Sequence, residues 1–239
     1  MSDDPWLRES VGVLFHDRVD AGRQLARVLD RLRDPELVVL GLPRGGVVVA
    51  AEVARELGAP FDAIAVRKVG HPLQPEYALG AVTSSGGVYV RDRSTLSDEE
   101  LADAIRAAQV GADMLDRVLH PASNAVGLGG KKALVVDDGL ATGATMVAAL
   151  RSVRAAGAAA VIAASPVAAA QSAPAVRAEA DETVFLYELA HFWSVGAWYE
   201  TFDQVEDDVV IRLLAEGKDR RPAADNQAHA RSEPRARGS

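Results

Sequence analysis

At 239 residues, 49% of them hydrophobic, the chain is long enough to bury one sizeable core, and it contains no cysteine, so disulfides, thiolate metal sites and cysteine nucleophiles are excluded. Its net charge of −8 becomes −11 once the basic final segment, Gly217–Ser239, is set aside, which leaves no general electrostatic footprint for nucleic acid. The acidic start Met1–Trp6 lacks an apolar signal core, and the longest apolar stretch, Ala155–Ala170, is broken by Gly157, Ser165 and Pro166, so a cytoplasmic protein without membrane contact is expected.

An amphipathic helix is predicted over Ala21–Arg33, with Leu25, Val28, Leu29 and Leu32 on its apolar face. Leu37–Leu42 is an unbroken apolar strand stopped at Pro43, and Val47–Leu57 is a helix ended by Gly58 and Pro60. Between them, Leu42-Pro43-Arg44-Gly45-Gly46 makes a glycine loop at a strand-to-helix junction. Bare backbone N–H groups and the planar guanidinium of Arg44 suit an anion there, with an ordinary helix start as the bland alternative. Phe61–Val66 is a second strand that ends on Arg67-Lys68. Lysine is scarce, four residues against 22 arginines, which draws attention to Lys68.

Gly70–Pro75, with glycine, two prolines and no period, reads as a loop, and Leu79–Val82 with Val88–Val90 as a hairpin. Ser97–Leu119 is the longest helix. Ser97 and Glu100 form a capping box, and Leu101, Ile105, Ala108, Ala112, Leu115 and Leu119 its apolar stripe.

The stretch Ala133–Met146, ALVVDDGLATGATM, carries most of the chemistry. Four apolar residues form a buried strand that runs into Asp137 and Asp138. The small-residue loop Gly139–Thr145 follows, then a helix to Ala156. At a helix N-terminus, the N–H groups of Ala141, Thr142, Gly143, Ala144 and Thr145 can curl around an anion, with two hydroxyls adding donors. The two aspartates cannot also bind phosphate; they suit sugar hydroxyls or a metal shared with the ligand. No Gly-Lys-Ser/Thr follows, so this is not a P-loop, and there is no G-x-G-x-x-G.

Ala159–Ala164 and Thr183–Leu186 are further strands and Asp207–Leu214 a last helix; strands alternating with helices predict a parallel sheet covered on both faces. Tyr187–Gln204 gathers Phe192, Trp193, Trp198, Tyr199 and Phe202 without a clean period. The domain is expected over residues 1–216, with a disordered tail from 217 to 239. The five histidines show no ligand spacing, so zinc is not expected.

These motifs resemble the type I phosphoribosyltransferases. They are closest to a bacterial and archaeal subgroup marked by P-R-G-G, R-K-x-G-x-P-x-x-P-E, D-D-G-x-A-T-G-A-T and F-x-x-V-G-x-W-Y, and the resemblance spans Phe15–Leu214. It implies an α/β fold, with a central mostly parallel sheet, helices on both faces and a small C-terminal hood at about residues 187–206. It also implies Mg²⁺-dependent transfer of the 5-phosphoribosyl group from phosphoribosyl pyrophosphate (PRPP) to a small-molecule acceptor, with release of pyrophosphate.

By the same resemblance, Lys68, Asp137 and Asp138 are the catalytic candidates. Asp137, Asp138, Gly139, Ala141, Thr142, Gly143, Ala144 and Thr145 would hold the ribose and its 5-phosphate. Pro43, Arg44, Gly45, Gly46, Arg67 and Lys68 would hold pyrophosphate, with a cis peptide near Pro43–Gly45. The segment after Lys68 would close over PRPP, Phe192 or Trp193 would line the acceptor pocket, and Mg²⁺ would be held mainly by PRPP, with Asp137 and Asp138 as the protein's candidate ligands. Ala141 stands where hypoxanthine-guanine enzymes carry an aspartate and matches adenine-type sequences, which speaks against a 6-oxopurine. A homodimer is compatible with the resemblance. The alternative function is a non-catalytic regulator with the same fold that senses PRPP or a nucleotide and keeps the site without turnover.

Overall fold

The computed structural model describes residues 12–93, 96–121 and 125–218. Apolar runs too short for a buried helix alternate with amphipathic stretches. The chain accordingly orders as α1 (Arg18–Leu29), β1 (Leu37–Gly41), α2 (Gly45–Leu57), β2 (Phe61–Ala63), β3 (Val66–His71), β4 (Gln74–Thr83), β5 (Val88–Val90), α3 (Asp98–Leu119), β6 (Lys132–Val136), α4 (Ala144–Ala155), β7 (Ala160–Ala169), α5 (Ala173–Arg177), β8 (Glu182–Leu189) and α6 (Asp207–Lys218). The central sheet is parallel throughout, in the order β2-β1-β6-β7-β8. Its strands read as continuous apolar runs because both faces are covered. Leu37, Val39, Leu134 and Val136 pack with α1, α2 and α6, while Val38, Leu40, Ala133 and Val135 pack against α4. Among the described residues no helix is long and apolar enough to cross a membrane.

A second, antiparallel sheet, β3-β4-β5, lies between α3 and α4. It corrects the expected loop at Gly70–Pro75. β3 continues to His71, and β4 begins at Gln74. The ladder is irregular there, Gly70 opposing Ala78 and His71 opposing Gln74. Such an interruption is where a strand tolerates proline, and this is why the prolines suggested no strand.

Other differences are local. The first helix starts at Arg18 because Asp17 accepts from the Asp20 N–H, and Val28 faces solvent rather than the core. β7 extends past Pro166 to Ala169, beyond the end of β6, and α5 had no counterpart in the sequence reading. The Ser97–Glu100 capping box is present. α6 runs to Lys218, past the boundary expected at 216, and the rest of the expected tail lies outside the described residues.

The C-terminus of α3 is fastened to the sheet by a buried ion pair. His120 Nε2 lies 2.8 Å from Asp62 Oδ1 and Nδ1 lies 3.0 Å from Asp116 Oδ1, while the Val126 N–H donates to Asp62 Oδ2 at 2.7 Å. Both ring nitrogens face carboxylates, an arrangement that satisfies the imidazolium form. The Asp62 hydrogen bond therefore raises the His120 pKa against the opposing effect of burial. Burial opposes ionisation of Asp62, yet the bond and charge of His120 and two backbone N–H donors more than offset it, and the Asp62 pKa is lowered.

Stability from His120 is fully present below about pH 6.5 and lost as pH rises through its raised value. Stability from Asp62 is present above about pH 4 and lost as pH falls through its lowered one. Unfolding free energy is expected to decline from pH 6 to 9. His120→Gln should cost about 3 kcal/mol at pH 6 and make that decline shallower, leaving the part that Asp137 contributes; denaturant melts at both pH values check this, and an unaltered slope in the variant refutes it.

Candidate active site

β1 and β6 are neighbours in the sheet, so the loops leaving their carboxyl ends emerge side by side, where open α/β sheets place their ligands. The loop after β1 carries Pro43, Arg44, Gly45 and Gly46, and the Pro43–Arg44 peptide is cis, as the resemblance implied. The two glycines lie against the acidic pair. A Cβ on Gly46 would sit 2.8 Å from Asp137 Cα, and one on Gly45 would sit 1.8 Å from Asp138 Oδ2.

The loop after β6 is anchored from below. The Leu140 N–H donates to the Val167 oxygen at 2.9 Å, the Leu140 oxygen accepts from the Ala169 N–H at 2.8 Å, and Ser172 Oγ donates to the Ala141 oxygen at 2.6 Å. Gly143 takes φ +70° as the N-cap of α4. Neither α2 nor α4 has a side-chain cap at its N-terminus, so first-turn N–H groups of both helices remain available to an anion. Thr142 and Thr145 are partly exposed beside one of them.

Each aspartate is held by one oxygen. Asp137 Oδ1 accepts the Asp138 N–H at 2.9 Å, and Asp138 Oδ2 accepts Arg18 Nε at 2.7 Å. Among the described residues no backbone N–H and no cation bonds Asp137 Oδ2 or Asp138 Oδ1, and the two carboxyls themselves share a side-chain hydrogen bond. Tyr199 donates its hydroxyl to the Asp138 main-chain oxygen at 2.6 Å. Burial, followed by the Asp138 charge, raises the Asp137 carboxyl well above the usual carboxylate range, against the Asp138 N–H and the Lys68 charge. Burial and the Asp138 charge likewise raise the Tyr199 hydroxyl, so it stays a neutral donor.

Arg67 and Lys68 part company because consecutive strand residues point to opposite faces. Arg67 turns toward α3, its Nε 3.5 Å from the Gly111 oxygen, while the Lys68 charge acts on Asp137. Of the basic pair read from the sequence, it is Lys68 whose charge acts on the acidic centre. We expect Lys68→Met to weaken PRPP binding on the order of tenfold, the loss of one charge-assisted contact, and Arg67→Met to change it less than about twofold. Calorimetric titration of both variants checks this, and equal effects would refute the placement. Arg44 stays half exposed, its Nη1 3.7 Å from Asp207 Oδ1 at the start of α6.

The hood is an aromatic cluster of Phe15, Trp198 and Tyr199, packed by Phe192, Val195 and Phe202. Phe192 belongs to that small core, 6.1 Å from the Trp198 ring, and Trp193 is 89% exposed. The residue that meets the acidic turn is instead Val195, 2.4 Å from where a Gly139 Cβ would stand. Sequence reasoning missed Arg18, Val195 and the contact role of Tyr199. Val195 and Tyr199 lay inside the segment singled out for its aromatics, whereas Arg18 carried no signal.

Comparison with known proteins agrees with this geometry. The sequence model of the phosphoribosyl transferase domain matches residues 15–194. Two Mycobacterium tuberculosis proteins assigned by name to the phosphoribosyl transferases, from strains CDC 1551 / Oshkosh and H37Rv, are each 43% identical over 206 residues, covering 84% of this chain and 46% of theirs. The chain thus spans about half the length of the curated relatives it matches. A Thermus thermophilus protein of known structure superposes with a TM-score of 0.72 at 39% identity, over 84% of this chain and 98% of that one. With the family's sequence model matched over most of its length, and its two loops and acidic pair converging at the carboxyl ends of adjacent parallel strands, the chain belongs to the phosphoribosyl transferase family.

Proposed function

We propose that the chain transfers the 5-phosphoribosyl group of PRPP to a small, nucleobase-like acceptor and releases pyrophosphate. The carrying observation is the pair of carboxyl oxygens that neither the backbone nor a cation holds, Asp137 Oδ2 and Asp138 Oδ1, set between two helix N-termini without side-chain caps. The N–H groups and hydroxyls of residues 141–145 hold the 5-phosphate, and the two carboxylate oxygens accept from the ribose hydroxyls. Gly45, Gly46, Arg44 and Lys68 face the pyrophosphate and stabilise its growing charge as the C1–O bond breaks. Orientation and electrostatics then supply most of the rate, without a covalent intermediate.

No group of three metal-ligating side chains exists among the described residues. That fits Mg²⁺, which takes one or two carboxylates and fills its octahedron with phosphate oxygens and water. The ion would neutralise the leaving pyrophosphate when bound. In calorimetry with Mg²⁺ present, PRPP at about 100 times its Kd should stabilise the fold by about 2.7 kcal/mol. No heat and no shift in melting temperature would defeat the reading. A screen of nucleobases and small amines, read by pyrophosphate release, then separates the two functions: acceptor-dependent release supports the transferase, and tight binding without release supports the sensor.

A further inference from the structure

Among the described residues, Arg18 is the only cation hydrogen-bonded to the acidic pair, and it also touches the hood. Its Nε donates to Asp138 Oδ2 at 2.7 Å, its Nη1 donates to the Asp203 main-chain oxygen at 2.8 Å, and its guanidinium lies 3.7 Å from the Phe202 ring centroid. The side chains of Arg18 and Asp138 are 12% and 14% exposed. A Gly45 Cβ would stand 2.7 Å from Arg18 Nε, so the ion pair presses on the glycine loop as well. A surface ion pair contributes little, and one this far from water pays a desolvation cost that a nonpolar pair would avoid. The planar fork is matched to a carboxylate, a carbonyl and a ring face at once, which a lysine ammonium cannot do.

The hood segment reaches the acidic turn at three points. Val195 rests on Gly139, Tyr199 bonds the Asp138 oxygen, and Phe202 lies under the Arg18 guanidinium. Phe202 also packs 2.7 Å from where a Gly196 Cβ would stand, beside Val195. A shift of this segment would therefore move the group that holds Asp138.

Resting on the phosphoribosyl-transfer reading, we propose that Arg18 is a positioning residue. It occupies Asp138 Oδ2 so that Oδ1 faces the ribose, and through Phe202 and Asp203 it couples the hood to the sugar subsite. Coupling of this kind is reciprocal: an acceptor that settles the hood tightens PRPP binding by the factor that PRPP tightens the acceptor's.

The test is calorimetric titration of the full chain with PRPP and Mg²⁺, using wild type, Arg18→Ala, Arg18→Lys and Phe202→Leu. Arg18→Ala should bind at least about tenfold more weakly, with affinity recovered in millimolar ethylguanidinium but not in sodium chloride of equal ionic strength. Arg18→Lys and Phe202→Leu should fall between wild type and Arg18→Ala. Wild type that fails to bind PRPP defeats the transfer reading and the proposal together. Wild-type binding with Arg18→Ala within about twofold of it overturns the proposal alone, as does a weak Arg18→Ala that neither ethylguanidinium nor lysine restores, since a mere prop would behave so. If Arg18→Ala does not melt cooperatively, the other two variants decide: graded weakening supports the proposal and unchanged affinity in both overturns it.

Discussion

Replacing Asp137 and Asp138 together by asparagine is expected to weaken PRPP binding by on the order of a hundredfold or more. On the proposed phosphoribosyl-transfer reading, each charge-assisted bond to a ribose hydroxyl contributes roughly 1.5–3 kcal/mol, and about 1.4 kcal/mol is a factor of ten. The single variants should then separate by their effect on the folded protein. Asp137→Asn removes a carboxyl whose ionisation burial and the Asp138 charge both oppose, while its amide oxygen can still accept the Asp138 N–H. Stability should hold or rise, most visibly above the ordinary carboxylate range, where wild type carries the cost of ionising that group. Asp138→Asn strips Arg18 of its counter-charge in a site where the arginine is 12% exposed, and should cost about 2–3 kcal/mol, somewhat less than breaking a fully buried pair. Melting temperature and PRPP affinity measured on one preparation settle the matter. A destabilised Asp137→Asn with intact affinity would mean that the carboxyl serves only the turn.

Gly45→Ala should be as damaging to the ligand site. The new methyl would stand 1.8 Å from Asp138 Oδ2 and 2.7 Å from Arg18 Nε, too close for either to accommodate without parting. Overpacking of this kind costs about 1–3 kcal/mol. Because it separates the Arg18–Asp138 pair, PRPP affinity should fall on the order of a hundredfold, beyond the effect of losing one contact. Gly129→Ala, with nothing within 4 Å of its Cβ, is the control and should stay within about 0.5 kcal/mol. A Gly45→Ala protein that binds PRPP normally would refute the packing of the two loops.

Residues whose roles depend on local backbone were legible in the amino-acid order. The run Ala133–Val136, the acids after it and the small residues up to Thr145 announce strand, turn and anion loop, because each conformation is set within a few residues of itself. The same holds for Pro43–Gly46 and for the capping box at Ser97. The Arg67-Lys68 pair shows the limit. With the strand ended at Val66, both side chains could be assigned to pyrophosphate; once β3 runs to His71, strand alternation sends them to opposite faces. The places of Phe192 and Trp193 were illegible for a related reason. An aromatic in an aperiodic segment has no preferred face until something packs on it, and the small core around Trp198 took Phe192 while Trp193 stayed in solvent.

The sequence by itself determined the parallel sheet, the two phosphate-sized loops and the acidic pair, since period, glycine placement and strand-to-helix order are properties of neighbouring residues. Only the tertiary structure decided that Arg18 neutralises Asp138 across 120 positions, that Val195 covers Gly139, and that one oxygen of Asp137 is held by a backbone N–H and one of Asp138 by an arginine. Those contacts join side chains brought together by the burial of other residues, and an ion pair formed at such a separation leaves no periodicity or composition behind by which the chain could announce it.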